Sequence, residues 1–207
     1  MKKIVIVGQG GHSKVITDII LAYNEYLIYA VLDDKFDKPI QKDHIIYGPI
    51  SYAESLSKEQ EIFFTIAIGD NGVRRKISRT LENIGAQFAI LKHPTAVISR
   101  SAVIGRGSVI MPNCVINSDT IIGEHVIINS GAVIEHDNKI NNYAHVSPRA
   151  VMAGNVYVGE GSQVGAGATI IPNTKIGSWS IVGAGATVIR DVPSNVTVVG
   201  VPAQIIK

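Results

Sequence analysis

The sequence predicts two folded units in series, an α/β unit followed by an array of short strands and corners. Three observations indicate this. Residues 1–92 hold 23 of the 36 charged residues, whereas residues 93–207 hold 13 of the 20 glycines. Strand-like and helix-like segments alternate in the first part, and a six-residue repeat fills the second. Pro94 lies at the change, where it disfavours a continuing helix. We therefore place the boundaries at residues 1–92, 93–191 and a C-terminal tail, 192–207.

The composition narrows the classes of protein that this chain can belong to. It has 207 residues, of which 46% are hydrophobic and 17% charged, and no apolar run of the ~20 residues that a membrane-spanning helix needs. A formal net charge of +2 without long charged runs gives no extended positive field for a nucleic acid. The single cysteine, Cys114, cannot form an intramolecular disulfide. We expect a folded cytoplasmic protein with small-molecule partners.

The first unit shows the pattern of a small parallel sheet with flanking helices. Ser51 with Glu54 predicts a capping box, and Asp70 predicts a helix N-cap. The predicted elements are, in order, a strand at 3–7, a Gly-rich turn, a helix at 14–23, a strand at 27–32, a buried strand at 62–68 and a helix running from 70 to 84. This order is Rossmann-like.

The turn after the first strand is a candidate phosphate site. Gly8, Gly10 and Gly11 precede the first helix, where backbone amides and the helix dipole favour an anion. Ser13 stands where a dinucleotide fingerprint has its third glycine, which weakens a nicotinamide interpretation. Asp33 and Asp34 follow the second strand, at a suitable place to accept hydrogen bonds from a ribose or a base, and Gly69 borders the same crevice. Tight-turn glycines beside a solvated acidic loop are the structural alternative.

The second unit repeats every six residues from Ala96 to Asp191 without an insertion. First positions are mostly small and eleven of the sixteen fourth positions are Gly, Asn or Ser. We expect positions one and three to point inward and position four to begin a corner, where Gly or Asn accepts the left-handed conformation. All sixteen third positions are aliphatic or Met: 98, 104, 110, 116, 122, 128, 134, 140, 146, 152, 158, 164, 170, 176, 182 and 188.

His136 is the candidate general base of the second unit. Three histidines lie near one another in sequence, His125, His136 and His145, but equivalent residues recur only every eighteen positions, so this spacing argues against a shared zinc site. His136 lies at an outward corner between Glu135 and Asp137. A carboxylate that orients the imidazole and favours its cationic form makes a base poised near neutral pH.

The second unit also contains the pentapeptide Gly-Ala-Gly-Ala-Thr twice, at 165–169 and at 183–187, eighteen residues apart. Small side chains are therefore expected to stack in a column. Such a column lets a thin ligand or a neighbouring subunit approach the backbone, although tight corner packing is an alternative explanation.

The repeat resembles the hexapeptide-repeat left-handed parallel β-helix, a triangular prism with three hexads in each coil. The handedness is implied by the resemblance alone, because parallel crossovers are otherwise right-handed. With Gly-Gln-Gly-Gly-His near the start, His136-Asp137 in the repeat and Val199-Gly200-Val201-Pro202-Ala203 at the end, nearly the whole chain is similar to bacterial nucleotide-sugar acetyltransferases of the sialic acid O-acyltransferase group. That family includes enzymes that N-acetylate UDP-4-amino sugars and their GDP-perosamine relatives.

The resemblance implies an acetyl-CoA-dependent acetyltransferase that acts on the amino group of a UDP-linked 4-amino sugar in surface glycan biosynthesis. It implies a homotrimer whose prisms hold acetyl-CoA between them, and no metal. By position, His136 is the general base and Asp137 raises its basicity. The residues implied to line the acetyl-CoA cleft are His145, Gly154, Ala166 and Ala184. Those implied to hold the nucleotide sugar are Gly8, Gly10, Gly11, His12, Asp33, Asp34 and Gly69, with Asn129 approaching the sugar itself.

Three alternatives stay open at this point. The first is O-acetylation of a sugar or of sialic acid, which needs the same base. The second is a prism that is not an acyltransferase, such as a zinc carbonic anhydrase, and the third is a dinucleotide-dependent enzyme. The family commonly has Ile-Gly-Asn after the third long strand, whereas this chain has Ile68-Gly69-Asp70, a departure that bears on the nucleotide contacts there.

Overall fold

The computed structural model describes all 207 residues and separates into two compact units, Met1–Leu91 and Lys92–Lys207. A two-residue strand, Leu91–Lys92, lies at the junction. None of its helices combines the length and the apolar composition needed to cross a bilayer.

The first unit is a six-stranded sheet with helices between its strands. The sheet order is β3-β4-β2-β1-β5-β6, and all neighbours are parallel except the hairpin β3–β4. The bounds are β1 Lys2–Val7, α1 Gly11–Tyr23, β2 Tyr26–Leu32, β3 Ile40–Lys42, β4 Ile45–Gly48, a 3-10 turn at Ile50–Tyr52, α2 Ala53–Leu56, β5 Ile62–Ile66, α3 Asn71–Asn83 and β6 Gln87–Phe88.

The apolar residues of β1 match its central position in the sheet. Its residues from Ile4 to Val7 are all buried, as is typical of a parallel strand covered on both faces. Val5 and Val7 pack in one cluster with Phe64 of β5 and Leu81 of α3, so this side of the sheet forms a single core. The Rossmann-like character of the first unit is confirmed.

Two local expectations in this unit had different outcomes. Asp70 caps α3 as predicted, since its Oδ1 accepts a hydrogen bond from Val73 N at 2.8 Å. The capping box at Ser51 and Glu54 is wrong. A 3-10 turn already begins at Ile50 and α2 starts at Ala53 without a side-chain cap, because the chain enters this segment as a tight turn after Pro49.

The second unit is a parallel β-helix with three faces, each a stack of two- or three-residue strands. The first face contains Val97–Ile98, Val115–Ile116, Val133–Ile134, Val151–Met152, Thr169–Ile170 and Thr187–Val188. The second face contains Val103–Ile104, Ile121–Ile122, Lys139–Ile140, Tyr157–Val158 and Lys175–Ile176. The third face contains Val109–Ile110, Ile127–Ile128, His145–Val146, Gln163–Val164, Ile181–Val182 and Thr197–Val199, with Gln204–Ile205 antiparallel at its end.

The strand register confirms the repeat of eighteen residues per coil. Val115, for example, pairs with Val97 on one side and with Val133 on the other. The first-position and third-position side chains point inward and are buried from Ser108 onward. The predicted β-helix is therefore confirmed, with alternate residues of each short strand forming its core.

The assignment of the left-handed conformation to fourth positions is wrong. Positive φ angles fall on sixth positions, fourteen of the sixteen, and include residues as large as Tyr143 and Trp179. The fourth-position glycines have another cause. A Cβ on Gly159 or Gly165 would lie 2.5 Å from backbone atoms of the following coil, so close stacking excludes a side chain there.

Residues 192–207 were predicted to be a separate tail because the six-residue repeat ends before them. In the structure they continue the prism. Val192 forms a bridge with Ile176, and Thr197–Val199 pairs in parallel with Ile181–Val182. Gln204–Ile205 then turns back against that strand, which covers its open edge.

Candidate active site and nucleotide pocket

The corner after Val133–Ile134 places His136 and Asp137 together on the prism surface. His136 Nδ1 lies 2.7 Å from Asp137 Oδ2, and the two side chains are 62% and 58% exposed. Asp137 has a φ of 59°, the left-handed conformation that Asp accepts at little cost. Because a carboxylate only accepts hydrogen bonds, Nδ1 carries a proton, and Nε2 is the atom with the free lone pair.

Asp137 also tunes His136 electrostatically. The hydrogen bond from the imidazole to this carboxylate raises the pKa of His136 above its ordinary value, with further raising contributions from the charges of Asp137 and Glu135. Glu135 itself accepts a hydrogen bond from Asn117 Nδ2 at 2.8 Å. The imidazole is thus oriented and made more basic while remaining accessible, which is what a general base needs.

Gly154 lies beside the His136 ring, one coil further along the same corner. A Cβ on Gly154 would be 2.7 Å from His136 Cε1 and 2.8 Å from Nε2. The ring therefore rests against the backbone of the next coil, as the eighteen-residue spacing predicts. Only glycine leaves room for this placement.

Asn129 and His145 form a second polar pair, on the third face. Ser130 N donates to Asn129 Oδ1 at 2.8 Å, which fixes the amide so that its NH₂ group faces His145 Nε2 at 3.1 Å. Nε2 must accept this hydrogen bond, so the neutral ring carries its proton on Nδ1. The sequence did not indicate this pairing, because the two residues are sixteen positions apart and out of register.

His136 and His145 lie on different sides of the prism, as expected. His136 follows a strand of the first face, whereas His145 belongs to a strand of the third. The chain contains no group of three or more His, Cys, Asp or Glu residues placed to hold a metal ion. Cys114 is fully buried, and burial raises the pKa of its thiol to about 11.

The column of small residues predicted from the repeated pentapeptide is exposed. Ala166, Gly167, Ala184 and Gly185 are all open to solvent, and a Cβ on either glycine would meet no other atom within 4 Å. A strip of backbone along this corner is therefore accessible to a thin ligand.

In the first unit, the Gly-rich turn leads directly into α1. The helix starts at Gly11, three residues before the predicted position, because the turn supplies its first residues. Gly10 is its N-cap in an extended conformation without a side-chain cap, and Gly11 is exposed. Gly8 has a φ of +101°, and a Cβ there would lie 2.7 Å from Ile68. Gly8 N donates to Leu32 O at 2.7 Å and Gln9 N donates to Asp33. The amides at Gly10 and Gly11 are therefore the ones that lie at the helix N-terminus, where an anion is favoured.

The two acidic residues after β2 hold neighbouring loops together. Asp33 accepts from Gln9 N at 2.7 Å through Oδ2 and from Lys35 N at 3.1 Å through Oδ1. Asp34 Oδ1 accepts from Ile50 N at 3.0 Å. Both carboxylates therefore shape the loops around the Gly-rich turn.

A buried arginine, which the sequence did not single out, organises the loop after β5. Arg74 is 1% exposed and donates to the carbonyls of Ile68 and Gly69 at 3.0 Å each. His12 is half-buried, and its Nε2 is buried without a hydrogen-bond partner. Desolvation, with the nearby charge of Arg74, lowers the pKa of His12 to about 4, so His12 is neutral at physiological pH.

A cavity of about 490 Å³ opens beside the N-terminal half of α1. Its size is within the range of small-molecule sites. The wall combines apolar side chains with a tyrosine, two lysines and the Gly-rich turn, a mixture suited to a base, a ribose and a phosphate. The lining residues are Ile6, Gln9, Gly10, Ser13, Lys14, Thr17, Asp18, Ile28, Val31, Lys35, Ile45 and Tyr47.

Comparisons with known families match both units. The model of the PglD N-terminal domain matches residues 3–81, and the model of the bacterial transferase hexapeptide (six repeats) matches residues 101–136 and 155–190. Fold and site together define a hexapeptide-repeat transferase that carries a Rossmann-like N-terminal unit.

Solved structures extend the match to the whole chain. PerB from Caulobacter crescentus, solved with CoA and GDP-perosamine, is 38% identical, with a TM-score of 0.92 and coverage of 100% of this chain and 98% of that chain. The acetyltransferase domain of PglB from Neisseria gonorrhoeae FA1090, solved with acetyl coenzyme A, is 34% identical, with a TM-score of 0.92 and coverage of 99% of each chain. This chain belongs to the family of these nucleotide-sugar acetyltransferases, and the resemblance stated from the sequence is confirmed.

A curated relative gives a further match. The UDP-N-acetylbacillosamine N-acetyltransferase of Bacillus subtilis (strain 168) is 48% identical over 113 residues, which are 54% of this chain and 52% of that protein. The chain thus spans about half the length of the curated relative it matches.

Proposed function

We propose that this protein transfers the acetyl group of acetyl-CoA to the amino group of a nucleotide-linked 4-amino sugar. One observation carries the proposal: an accessible imidazole, oriented and made more basic by Asp137, rests against a glycine that leaves its Nε2 side open. The names of the relatives support the chemistry, because one is a UDP-N-acetylbacillosamine N-acetyltransferase and another was solved with CoA and GDP-perosamine. A UDP-linked sugar of surface glycan biosynthesis is the first substrate to test.

The nucleotide sugar is assigned to the first unit. The cavity beside α1 supplies apolar walls for a base, and the amides at Gly10 and Gly11 favour a phosphate. Gly69 borders the same loops, held there by Arg74. Asp70 caps α3 through its carboxylate, so the departure from the family's Asn at this position preserves a capping group.

The proposed mechanism is direct transfer. The sugar amine attacks the thioester carbonyl carbon, and His136 Nε2 takes the proton that the amine loses. The carbon–sulfur bond then breaks, so the acetyl group leaves with the sugar and the coenzyme leaves as a thiolate that regains a proton. General base catalysis of this kind contributes about 10² to 10⁴ in rate, and the remainder comes from positioning. No covalent acetyl-enzyme is required.

His145 takes a different role in this proposal. Because its Nε2 accepts from Asn129, this ring is not available as a base through that atom. We place it at the thioester end of the acetyl-CoA cleft, with Ala166 and Ala184 along the coenzyme, and Gly154 lines this cleft from the subunit that supplies His136. Asn129 sets the tautomer of His145, and its approach to the sugar stays a prediction.

The proposed site needs neighbouring subunits. Since His136 and His145 lie on different sides of one prism, the base of one subunit meets the coenzyme cleft of the next only in a ring, for which we propose a homotrimer. Because acetyl-CoA is available in the cytoplasm, we propose that the reaction takes place there.

A coenzyme-release assay with purified protein tests the function. Acetyl-CoA is offered with a panel of UDP- and GDP-linked 4-amino sugars and with the corresponding 4-hydroxy sugars. We expect CoA release with at least one amino sugar and none with its hydroxy counterpart. Release only with hydroxy acceptors would make the protein an O-acetyltransferase, and release with none of the acceptors would refute the proposal.

A further inference from the structure

Asn138 is a break in the repeat directly behind His136. The other first positions of the hexads carry small or β-branched side chains, whereas position 138 alone carries an amide. Asn138 is 0% exposed, so the amide lies inside the prism. A buried polar side chain of this size requires hydrogen-bond partners.

The amide of Asn138 joins two adjacent coils. Val156 N donates to its Oδ1 at 3.2 Å, and this donor fixes which end of the amide is oxygen. Its NH₂ group donates to the carbonyl oxygens of Glu135 at 2.6 Å, Ala153 at 2.9 Å and His136 at 3.3 Å. Glu135 O also accepts from Thr120 Oγ1 at 2.9 Å.

These contacts anchor two peptide planes, whose carbonyls point inward as those of Gly123 and Gly177 also do. In a trans peptide the C=O and the following N–H point in opposite directions. The Ala153 carbonyl points inward to Asn138, so the Gly154 N–H points outward, toward the side on which the His136 ring lies. This N–H donates no hydrogen bond to another residue of the chain. The Glu135 carbonyl likewise points inward, which fixes the peptide that enters His136.

We propose that Asn138 is a positioning residue that holds the His136 base and the outward Gly154 N–H in one fixed arrangement. The inference rests on the proposed function, in which His136 is the base, and it adds the Gly154 N–H as a donor to the oxyanion that develops on the thioester carbonyl. A donor to the oxyanion must be fixed before reaction, since its contribution depends on preorganisation.

Ordinary coils show that stacking alone does not need this amide. At the same inward position Ser108 Oγ donates to Gly123 O at 2.7 Å, and Ser162 Oγ donates to Gly177 O at 2.5 Å. Each of these hydroxyls also accepts one backbone N–H, from Val126 or Ser180, and holds a single carbonyl. The thiol of Cys114 approaches carbonyls of two coils, Pro112 O at 4.0 Å and Asn129 O at 3.1 Å, but a thiol is a weak donor. Asn138 is the one first-position side chain that holds carbonyls of two coils through N–H donors.

The test compares Asn138→Ala and Asn138→Ser with the matched control Ser162→Ala, which removes an inward bridge away from His136. We expect Asn138→Ala to lower kcat at least tenfold while the KM for acetyl-CoA and the CoA-binding stoichiometry stay within twofold. Asn138→Ser should recover part of this loss, because a hydroxyl can hold one carbonyl. Ser162→Ala should keep kcat within twofold at a similar loss of Tm. Nuclear magnetic resonance should show displaced Gly154 amide and His136 Cε1–H signals only in the Asn138 variants.

The inference would be overturned if Asn138→Ala kept the wild-type kcat. It would also be overturned if Ser162→Ala lost as much kcat as Asn138→Ala. If Asn138→Ala does not fold, Asn138→Ser decides by the same criteria. The resonance comparison also separates this inference from the proposed function. Wild-type protein inactive on every acceptor would refute the function, whereas unmoved His136 and Gly154 signals in the Asn138 variants would refute the positioning role.

Discussion

At the scale of single residues, the corner of His136 shows how position in the repeat determines chemistry. Asp137 occupies a sixth position, where the backbone is left-handed, and this turn brings its carboxylate to Nδ1 of the preceding ring. A residue in a strand would instead point to the opposite face from its neighbour. The left-handed corner therefore brings the acid and the base, which are neighbours in sequence, into contact.

Asp137→Asn should shift the pH dependence of turnover. Asn tolerates the left-handed conformation, so the corner is retained. The base acts in its neutral form, and the rate therefore rises as pH rises through the pKa of His136. Removing the carboxylate removes the main cause that raises this pKa, so the acidic limb of kcat/KM should move to lower pH. The plateau should fall by about tenfold or more, because the base is weaker and less well oriented.

Asp119→Asn, the same change one coil earlier, is the control for this profile. Asp119 also has a left-handed backbone, with a φ of 59°, but it is not bonded to His136. An acidic limb that stays in place in Asp137→Asn, or that moves equally in the control, would argue against the role of Asp137.

Gly154→Ala should reduce turnover without unfolding the protein. The added Cβ would lie 2.7 Å from His136 Cε1, and the exposed ring can move away at little cost in stability. A displacement of about 1 Å at a reacting group can cost about a hundredfold in rate, so we expect kcat to fall at least tenfold. Ser118→Ala, in the same column two coils before Gly154 and one coil before His136, should leave kcat within twofold. An unchanged kcat in Gly154→Ala would show that the ring position does not matter.

The sequence predicted some site residues better than others for physical reasons. His136, Asp137 and Gly154 could be placed because the eighteen-residue period converts spacing into stacking. The bond between Asn129 and His145 crosses coils out of register, so no period indicates it. Arg74 stands beside Arg75 and Lys76 in a polar helix, so nothing in the sequence indicates that it is buried.

At the scale of elements, small residues have two different structural roles at the corners of the prism. Fourth-position glycines are required by the close approach of the next coil, and sixth positions require a left-handed backbone. Gly and Asn are frequent in both sets, filling nine of the sixteen fourth positions and eight of the sixteen sixth positions, so composition alone does not distinguish close approach from conformation. That ambiguity is why the left-handed conformation was expected at the wrong position.

Gly159→Ala and Asn113→Gly should separate these two effects. A Cβ at position 159 would lie 2.5 Å from Ser178 N, a backbone atom that cannot move freely, so we expect a loss of about 1–3 kcal/mol in the free energy of unfolding. Asn113 is exposed with a φ of 58°, and glycine accepts this conformation, so its replacement should change stability by less than about 0.5 kcal/mol. Thermal and urea unfolding measure both. Equal losses would show that the two positions are not distinguished by this geometry.

Elements with a regular hydrophobic pattern were predicted more accurately than elements without one. The β-helix was predicted from Ala96 to Asp191 because each hexad repeats the same burial pattern, and β1, β2 and α3 have clear apolar or capping signals. The hairpin β3–β4 was not predicted, since its first strand is entirely exposed and has no alternation to detect. Residues 192–207 lose the repeat yet still pair with the prism, because strand pairing depends on backbone groups as well as on sequence.

At the scale of the whole molecule, the proposed function assigns recognition of the acceptor to the first unit and the chemistry to the prism. The uninterrupted hexads leave no loop on the prism to recognise an acceptor. In the proposed function, the cavity beside α1 and the amides of the Gly-rich turn provide that capacity in the first unit. Substrate choice should therefore change with residues that line this cavity, and the acetyl-transfer chemistry with residues of the prism.

Mixing two inactive variants tests whether neighbouring subunits share the proposed site. His136→Ala should lower turnover at least about a hundredfold with CoA binding retained, and His145→Ala should also be impaired. If each site takes His136 from one subunit and His145 from the next, a trimer refolded from an equal mixture has both histidines intact at about one site in four. Recovery of about a quarter of wild-type activity is therefore expected, with sedimentation confirming a trimer. A mixture no more active than its components would mean that one subunit supplies both histidines, which the opposite placement of their strands argues against.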